Sequence, residues 1–235
     1  LAVIEAEAEK LSAPMSLMGR DFDAWEANGR LLVQAEERLL DLPPPSLFGP
    51  HQFDNAGLAV AAMLTLADPR IDEDAIARGV AAAYWPARFQ HLREGELGAM
   101  ASAAGADLWL DGGHNPHAGA ALAQAVGRLV ARDPRPVVLI SAMFARKDAA
   151  GFFAPFAELK PSVYATSFDS PNAAPAEELA EAARAAGLTA ETAEDAKSAL
   201  EAALAAATTP PHILICGGLH FAGEVLALDP ETWPR

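Results

Sequence analysis

The sequence has little cysteine and little positive charge, and it contains no long hydrophobic run. Its one cysteine, Cys216, excludes an intrachain disulfide and fits a reducing compartment, which predicts a cytoplasmic protein. Cys216 lies in an apolar run, so we expect a buried, inert thiol. No segment approaches the length of a membrane span, and no signal peptide is visible. The 17 basic and 32 acidic residues give a net charge of −15. An acidic chain repels phosphate backbones, so we expect no nucleic-acid partner, and we expect no membrane partner either.

The sequence also lacks a phosphate-binding G-x-x-x-x-G-K-[ST] loop. A nucleotide enzyme built only from these residues would therefore lack its usual phosphate grip. The chain begins at Leu1, without an initiator methionine and inside a helical pattern, so we expect it to be the tail of a longer protein. Its 235 residues suit one large domain or two modest ones.

Helical and strand-like segments divide the chain at Pro86, which predicts domains over 1–85 and 86–235. The first part predicts a helix over 1–11, a strand over 15–22, a hairpin at Asn28-Gly29, a helix that runs to about residue 67, and a helix over 72–85. The second part alternates strands and helices, which is typical of an α/β domain with a mostly parallel sheet. Its predicted strands are 88–93, 97–101, 107–110, 137–142, 163–166 and 212–216. Its predicted helices are 116–132, 149–159, 176–186, 193–206 and 219–226.

A strand, a tight turn and a helix meet at Asp111-Gly112-Gly113-His114-Asn115-Pro116. Asn115 suits the N-cap of the helix, and Pro116 suits its first position. Asp111 is then left at the carboxyl end of a strand, where open parallel sheets bind ligands. It is either a turn residue that helps to cap the helix or a ligand for a ribose or a metal. Asp111, His114 and His117 recur every third residue and are residue types that bind metals, so a metal site is one interpretation. The three residues span a turn and a helix start, however, and need not share one face.

Three other places carry candidate ligand contacts. His51-Gln52-Phe53-Asp54-Asn55 brings polar groups to a helix start, where Asp54 or Asn55 could also serve as a cap. Arg88 follows Trp85-Pro86-Ala87, and its guanidinium suits phosphate oxygens, although a surface arginine on an edge strand is the alternative. Lys147 and Asp148 follow a strand and reach the same sheet edge as Asp111 if the sheet is parallel. A solvated loop pair explains them equally well.

These motifs, in this order, resemble the folylpolyglutamate synthase and dihydrofolate synthase family of the Mur ligase superfamily. The matching segments are similar to its HQxxNA, pGRfq, DGAHNPxA and DKD motifs and to its terminal strand and helix, and they lie at 51–56, 85–90, 111–118, 145–148 and 213–226. The resemblance covers nearly the whole chain. It implies the end of a P-loop-type central ATPase domain, followed by a Rossmann-like C-terminal ligase domain.

The resemblance also implies a reaction and roles for residues. A pteroate or folate carboxylate would take the γ-phosphoryl group of ATP, and the amino group of L-glutamate would attack the resulting acyl phosphate. Asn55 would contact adenine, Arg88 the ATP phosphates, Asp111 the ribose hydroxyls, and His114 would lie near the reacting groups. ATP and Mg²⁺ are the implied cofactors, and the family's Mg²⁺ ligands would lie before Leu1, with none in this chain.

The implied substrates are L-glutamate and dihydropteroate or a reduced folate, in folate biosynthesis and one-carbon metabolism, with a monomeric enzyme as the default. Ala87 stands where the family usually has glycine, and Gly218 stands where it often has serine. The stretch 88–111 is longer than usual, which suggests an extended hairpin. Without its upstream phosphate grip the chain alone should be inactive. Two alternatives stay open, another Mur-type amino-acid ligase and a nucleotide-binding module without catalysis.

Overall fold

The computed structural model describes residues 1–229 and divides into two units. The first unit comprises Leu1–Ser46 and Pro50–Tyr84, and the second comprises Leu47–Gly49 with the chain from Trp85 onward. The end of the predicted second domain, residues 230–235, lies outside the described residues. Within residues 1–229, no helix is both long and apolar enough to cross a membrane.

The first unit packs two helices against a three-stranded antiparallel sheet of order β1-β2-β3. Asn28 and Gly29 both have positive φ between β1 and β2, which confirms the predicted hairpin. The core of this unit gathers inward-facing residues of β2 and β3 with Val60, Ile76 and Val80 from two helices. The elements are α1 (Ala2–Lys10), β1 (Phe22–Ala27), β2 (Arg30–Ala35), β3 (Arg38–Leu42), α2 (His51–Leu66) and α3 (Glu73–Ala82).

Two predictions for the first unit need correction. The strand predicted over 15–22 is wrong, because Asp21 accepts a hydrogen bond from the Leu17 N–H and closes a turn there, so that β1 begins only at Phe22. The predicted helix at the start is present as α1, but none of its residues is buried in this unit. Asp72 caps α3 as predicted, and that helix ends at Ala82 rather than at Trp85.

The second unit is a six-stranded sheet with helices on both faces, which confirms the predicted α/β class. The strand order is β4-β5-β9-β6-β7-β8, and every pairing is parallel except β4 with β5. The elements are β4 (Gln90–His91), α4 (Gly95–Ala103), β5 (Asp107–Leu110), α5 (Pro116–Arg132), β6 (Val137–Ser141), α6 (Ala149–Phe153), β7 (Ser162–Ala165), α7 (Ala176–Ala185), β8 (Thr189–Thr192), α8 (Ala196–Ala206), β9 (His212–Cys216) and α9 (Leu219–Ala227). A 3₁₀ helix, Ala154–Leu159, follows α6.

Each face of this sheet has its own apolar core. One core contains buried residues of α4, α8 and α9, and the other contains buried residues of α5, α6 and α7. All five residues of β9 and all five of β6 are buried, as expected for central strands covered on both sides. The centre of the sheet is therefore covered on both faces, and ligand contacts are left to its edges.

The stretch between Arg88 and Asp111 contradicts the predictions made for it. The strand over 97–101 and the extended hairpin are both wrong, because Gly95–Ala103 forms helix α4, which buries Leu97, Gly98 and Ala101 on one side. The strand predicted over 88–93 shrinks to Gln90–His91. Strand β8 was missed because Thr189–Thr192 is polar and mostly exposed, as edge strands often are.

Candidate functional site

Asp111 stands directly after β5, at the carboxyl edge of the sheet. It is only 5% exposed, and both of its carboxylate oxygens accept backbone hydrogen bonds. Oδ2 accepts from the Phe89 N–H at 2.7 Å, and Oδ1 accepts from the Gly113 N–H at 2.6 Å. Burial raises the pKa of Asp111, and these two hydrogen bonds together with the nearby Arg88 guanidinium oppose that rise. Asp111 therefore holds the turn, and each of its oxygens keeps a second lone pair for a ligand.

The segment around Arg88 is fixed to the same turn. The Gly112 N–H donates to the Ala87 carbonyl at 2.9 Å, beside the Phe89 contact with Asp111. Ala87 has φ +54° and Phe89 has φ +47°, both in the left-handed region that alanine and phenylalanine rarely adopt. This explains why glycine suits position 87 in the related motif. The strained segment brings the Arg88 guanidinium close enough to Asp111 to act on its pKa.

His114 and Asn115 lead from the turn into α5. Asn115 accepts from the Ala118 N–H at 2.9 Å, which confirms it as the N-cap, and Pro116 begins the helix. His114 Nδ1 lies 3.0 Å from the Gly112 carbonyl oxygen. A carbonyl can only accept, so Nδ1 carries the proton and Nε2 of the neutral ring keeps a lone pair. His114 can therefore act as a base through Nε2.

Lys147 and Asp148 follow β6 at the same carboxyl edge, because β5, β9 and β6 are parallel. Asp148 caps α6 by accepting from the Gly151 N–H at 2.8 Å. Lys147 lies on the border of a cavity of about 290 Å³, whose lining includes Met143, Phe144 and Leu179. The loop therefore has one capping acid and one cation beside an accessible cavity.

The carboxyl ends of β9 and β6 lie side by side, and the residues that follow them pack closely. Gly217 has φ +122°, and a Cβ atom there would lie 2.2 Å from the Ala142 carbonyl oxygen. Glycine is required at this position by close backbone packing, so the Gly217-Gly218 pair needs no ligand to explain it. Cys216 is buried beside it, and burial raises the pKa of its thiol, as expected for an inert cysteine.

Asn55 belongs to the first unit, where it lies exposed on the first turns of α2. Its amide donates to Gln52 Oε1 at 3.3 Å, and Gln52, only 3% exposed, contacts His51 Nε2 at 2.9 Å. Pro50 is the N-cap of α2 and offers no side-chain cap, so Asp54 and Asn55 do not cap this helix. The polar cluster therefore has an origin other than capping.

The Asp111, His114 and His117 pattern does not form a metal site. Among residues 1–229, three acidic or histidine side chains come close enough to share an ion only at Asp107, Asp133 and His212, at the opposite edge of the sheet. The sequence does not predict that group, and its only signal is that Asp107 and His212 each begin a predicted strand. A stack of four rings at β4 and β5 is likewise not predictable from the sequence, and it consists of Phe48, Phe89, Trp109 and His91.

The family model described as the glutamate ligase domain of Mur ligases matches residues 87–219. The chain belongs to the Mur ligase family. The dihydrofolate synthase/folylpolyglutamate synthase of Escherichia coli is 30% identical over 82% of this chain, which spans 40% of that protein.

Solved structures give the same affiliation. The folylpolyglutamate synthase of Mycobacterium tuberculosis, complexed with ADP, superposes with a TM-score of 0.79 at 29% identity, over 97% of this chain and 52% of that one. The bifunctional synthase of Yersinia pestis, complexed with AMPPNP and a manganese ion, gives 0.76 at 30% identity, over 95% and 49%. The resemblance to folylpolyglutamate and dihydrofolate synthases is therefore confirmed, and this Mur ligase chain spans about half the length of these relatives.

Proposed function

We propose that this chain is part of an ATP-dependent ligase that joins L-glutamate to the carboxylate of dihydropteroate, of a folate carrying glutamates, or of both. The observation that supports this most is that the segment carrying Arg88 is hydrogen-bonded, through Ala87 and Phe89, to the turn carrying Asp111 at the carboxyl edge of a Mur ligase sheet. A guanidinium and a carboxylate are the groups that bind phosphate oxygens and ribose hydroxyls. The residues present therefore fit a nucleotide.

The residue roles follow from chemistry and contacts. Arg88 binds phosphate oxygens, and the free lone pairs of Asp111 accept from ribose hydroxyls. Asn55 contacts adenine, as its motif implies. Lys147, on the border of its cavity, offers a cation to the carboxylates of glutamate. His114 Nε2 takes a proton from the attacking amino group, because its other nitrogen donates to Gly112.

ATP, with a divalent ion such as Mg²⁺, supplies the phosphoryl group that makes the carboxylate reactive. We assign no Mg²⁺ ligand to this chain. We also infer that the chain needs a phosphate-binding loop from elsewhere in its protein, so that residues 1–235 alone give no turnover. Residues 1–85 would then complete an ATPase domain, and residues 86–235 would be the ligase domain.

The test measures phosphate release by the gene product, including any residues encoded before Leu1, with ATP, L-glutamate and either dihydropteroate or a reduced folate. We expect release only when glutamate and a pterin acceptor are both present. Nucleotide binding without release for either acceptor would leave a Mur-type ligase for another carboxylate. Binding without release would also fit a nucleotide-binding module without catalysis, and absence of both binding and release would contradict the proposal.

Arg88→Ala is the variant that best tests the nucleotide site. A charge-assisted hydrogen bond contributes about 1.5–3 kcal/mol, so we expect a loss of turnover of roughly tenfold to a hundredfold or more. Arg132→Ala, at the exposed end of α5, removes the same charge away from this edge and should leave turnover unchanged. Equal turnover in the Arg88 and Arg132 variants would remove Arg88 from the site.

A further inference from the structure

A second polar cluster lies at the amino edge of the large sheet, away from the turn at Asp111. Asp107 begins β5 and His212 begins β9, and the two residues are paired in the sheet. Asp133 ends α5 beside them. Asp107 precedes Asp111 by four strand residues, which places the two edges about 13 Å apart. This cluster is therefore separate from the proposed nucleotide site.

His212 is the buried member of the cluster, with only 4% of its surface exposed. Its Nε2 lies 2.9 Å from the backbone carbonyl oxygen of Asp133, so Nε2 carries a proton and donates it there. Nδ1 of the neutral ring then has a bare lone pair, and it makes no hydrogen bond within the described part of the chain. A ring nitrogen held in this way, with its other N–H on a carbonyl, has the arrangement of a metal-binding histidine.

Asp107 presents a second lone pair to the same gap. His91 Nδ1 accepts from the Arg93 guanidinium at 3.0 Å, so the proton of the neutral ring is on Nε2. That nitrogen lies 3.5 Å from Asp107 Oδ1. Asp107 Oδ2 is left 3.2 Å from His212 Nδ1. Two atoms with lone pairs that face each other at this distance need a positive charge between them, supplied either by a metal ion or by a second proton on the His212 ring.

Arg135 is the nearest cation, but its donors are directed elsewhere. Its Nη1 donates to the Gly105 carbonyl at 2.9 Å, and its Nε contacts Asp133 Oδ2 at 2.7 Å. Nη1 is 3.6 Å from Asp107 Oδ2, which is too long for a hydrogen bond. Arg135 therefore lowers the negative charge of the cluster without filling the gap between Asp107 and His212.

We propose that Asp107, Asp133 and His212 bind one divalent transition-metal ion, with Zn²⁺ as the best fit. Each residue offers one ligand atom, and the three atoms lie within 4.8 Å of one another. The 3.2 Å between His212 Nδ1 and Asp107 Oδ2 matches two neighbouring ligands of a tetrahedral ion with bonds of about 2.0–2.1 Å. One imidazole with two carboxylates suits zinc, and water would complete the coordination. The ion would join β5, β9 and the end of α5.

Co²⁺ is the probe of choice, because a tetrahedral site gives it a visible absorption spectrum. The protein is first freed of metal with a chelator and then titrated at neutral pH. We expect one equivalent to bind with tetrahedral bands, Zn²⁺ to displace it, and either ion to raise the midpoint of thermal unfolding. Absence of such bands in the unmodified protein would overturn the proposal and leave a proton on His212 as the cation.

Variants make the test specific to these residues. His212→Asn should weaken Co²⁺ binding by more than roughly a hundredfold, because it removes a ligand rather than an outer contact. Asp133→Asn changes a half-exposed side chain and should also weaken binding if folding of the His212 variant fails. His117→Asn, on an exposed histidine near the other edge, should change nothing.

Arg135→Gln should act in the opposite direction. It removes a positive charge beside two of the ligands, so Co²⁺ binding should tighten. An ion held elsewhere on the surface would not respond to this change. Unaltered binding in both the His212 and Arg135 variants would show that the ion binds at another place. None of these measurements uses ligase activity, so they are independent of the proposed function.

Discussion

At the scale of a single residue, Asp111 pairs the energetic cost of a buried carboxylate with two stabilising hydrogen bonds. The buried carboxylate accepts hydrogen bonds from the backbone N–H groups of Phe89 and Gly113. Substitution by alanine would remove the proposed nucleotide contact and also two internal hydrogen bonds. A loss of function in Asp111→Ala would therefore mix folding with binding, which is why Arg88 is the cleaner test.

The raised pKa of Asp111 predicts a pH dependence of stability. Burial raises the pKa of Asp111 above the ordinary value of 3.8. At pH values between 3.8 and the folded pKa, the folded state therefore holds a proton that the unfolded state has lost. The contribution of this group to stability is full below pH 3.8 and is lost as pH rises through the higher folded pKa. Asp111→Asn has no such titration. We expect the free energy of unfolding of the unmodified protein, minus that of the variant, to fall as pH rises from 3.8.

Urea unfolding of both proteins at several pH values between acid and neutral measures this difference. The other carboxylates titrate in both proteins, so their effects cancel in the subtraction. A difference that grows with pH would mean that the two backbone hydrogen bonds outweigh burial and that the carboxylate is held in its charged form.

Single residues also show what a sequence can reveal about a site. Asp111, Asn115 and Pro116 were predictable because a strand, a turn and a helix start each leave local signals. The hydrogen bond between Phe89 and Asp111 was not predictable, since it joins residues 22 positions apart through an unusual backbone conformation. The state of His212 was likewise not predictable, because the partner of its Nε2 is the Asp133 carbonyl at the end of α5. The roles of Asn55, Arg88, Asp111, His114 and Lys147 stay predictions.

Among the elements, buried strands and amphipathic helices were predicted well, whereas α4 and β8 were not. In α4, Leu97, Gly98 and Ala101 are apolar or small, and a short run of such residues fits a buried strand as well as a helix. Packing against β5 and α8 decides between them. Strand β8 lies at an edge, where polar residues are tolerated and the usual alternation disappears.

Helix α5 offers a matched pair of glycines. A Cβ at Gly119 would lie 2.3 Å from the carbonyl oxygen of Phe152, whereas a Cβ at Gly127 meets nothing within 4 Å. We expect Gly119→Ala to lower the free energy of unfolding by roughly 2 kcal/mol or more, because backbone atoms of α6 must move. Gly127→Ala should raise it by up to about 1 kcal/mol through helix propensity.

Chemical denaturation of the two variants beside the unmodified protein provides the measurement. Both changes add one methyl group to the same helix, so only the contact with Phe152 separates them. If both variants gained stability equally, α5 would not approach α6 as closely as described.

For the whole molecule, the excess of acidic residues matters more than any one ion pair. A net charge of −15 on 235 residues destabilises the compact state by self-repulsion. We expect the midpoint of thermal unfolding to rise by roughly 2–4 °C between low and physiological ionic strength, because salt shortens the range of repulsion. NaCl and KCl should act alike. A midpoint that falls with salt would show that the surface ion pairs outweigh the repulsion.

The two edge strands of the large sheet also determine whether copies of the chain can pair through their sheets. At one end β4 has only two residues, Gln90 and His91. At the other end the Arg184 guanidinium donates twice to the Ala190 carbonyl of β8, at 3.2 and 3.0 Å, and Glu191 adds a charge. A strand from a second copy would find too short a partner on one side and a carbonyl already engaged on the other. Both features disfavour edge-to-edge pairing of folded second units, which is the first step towards amyloid-like fibres.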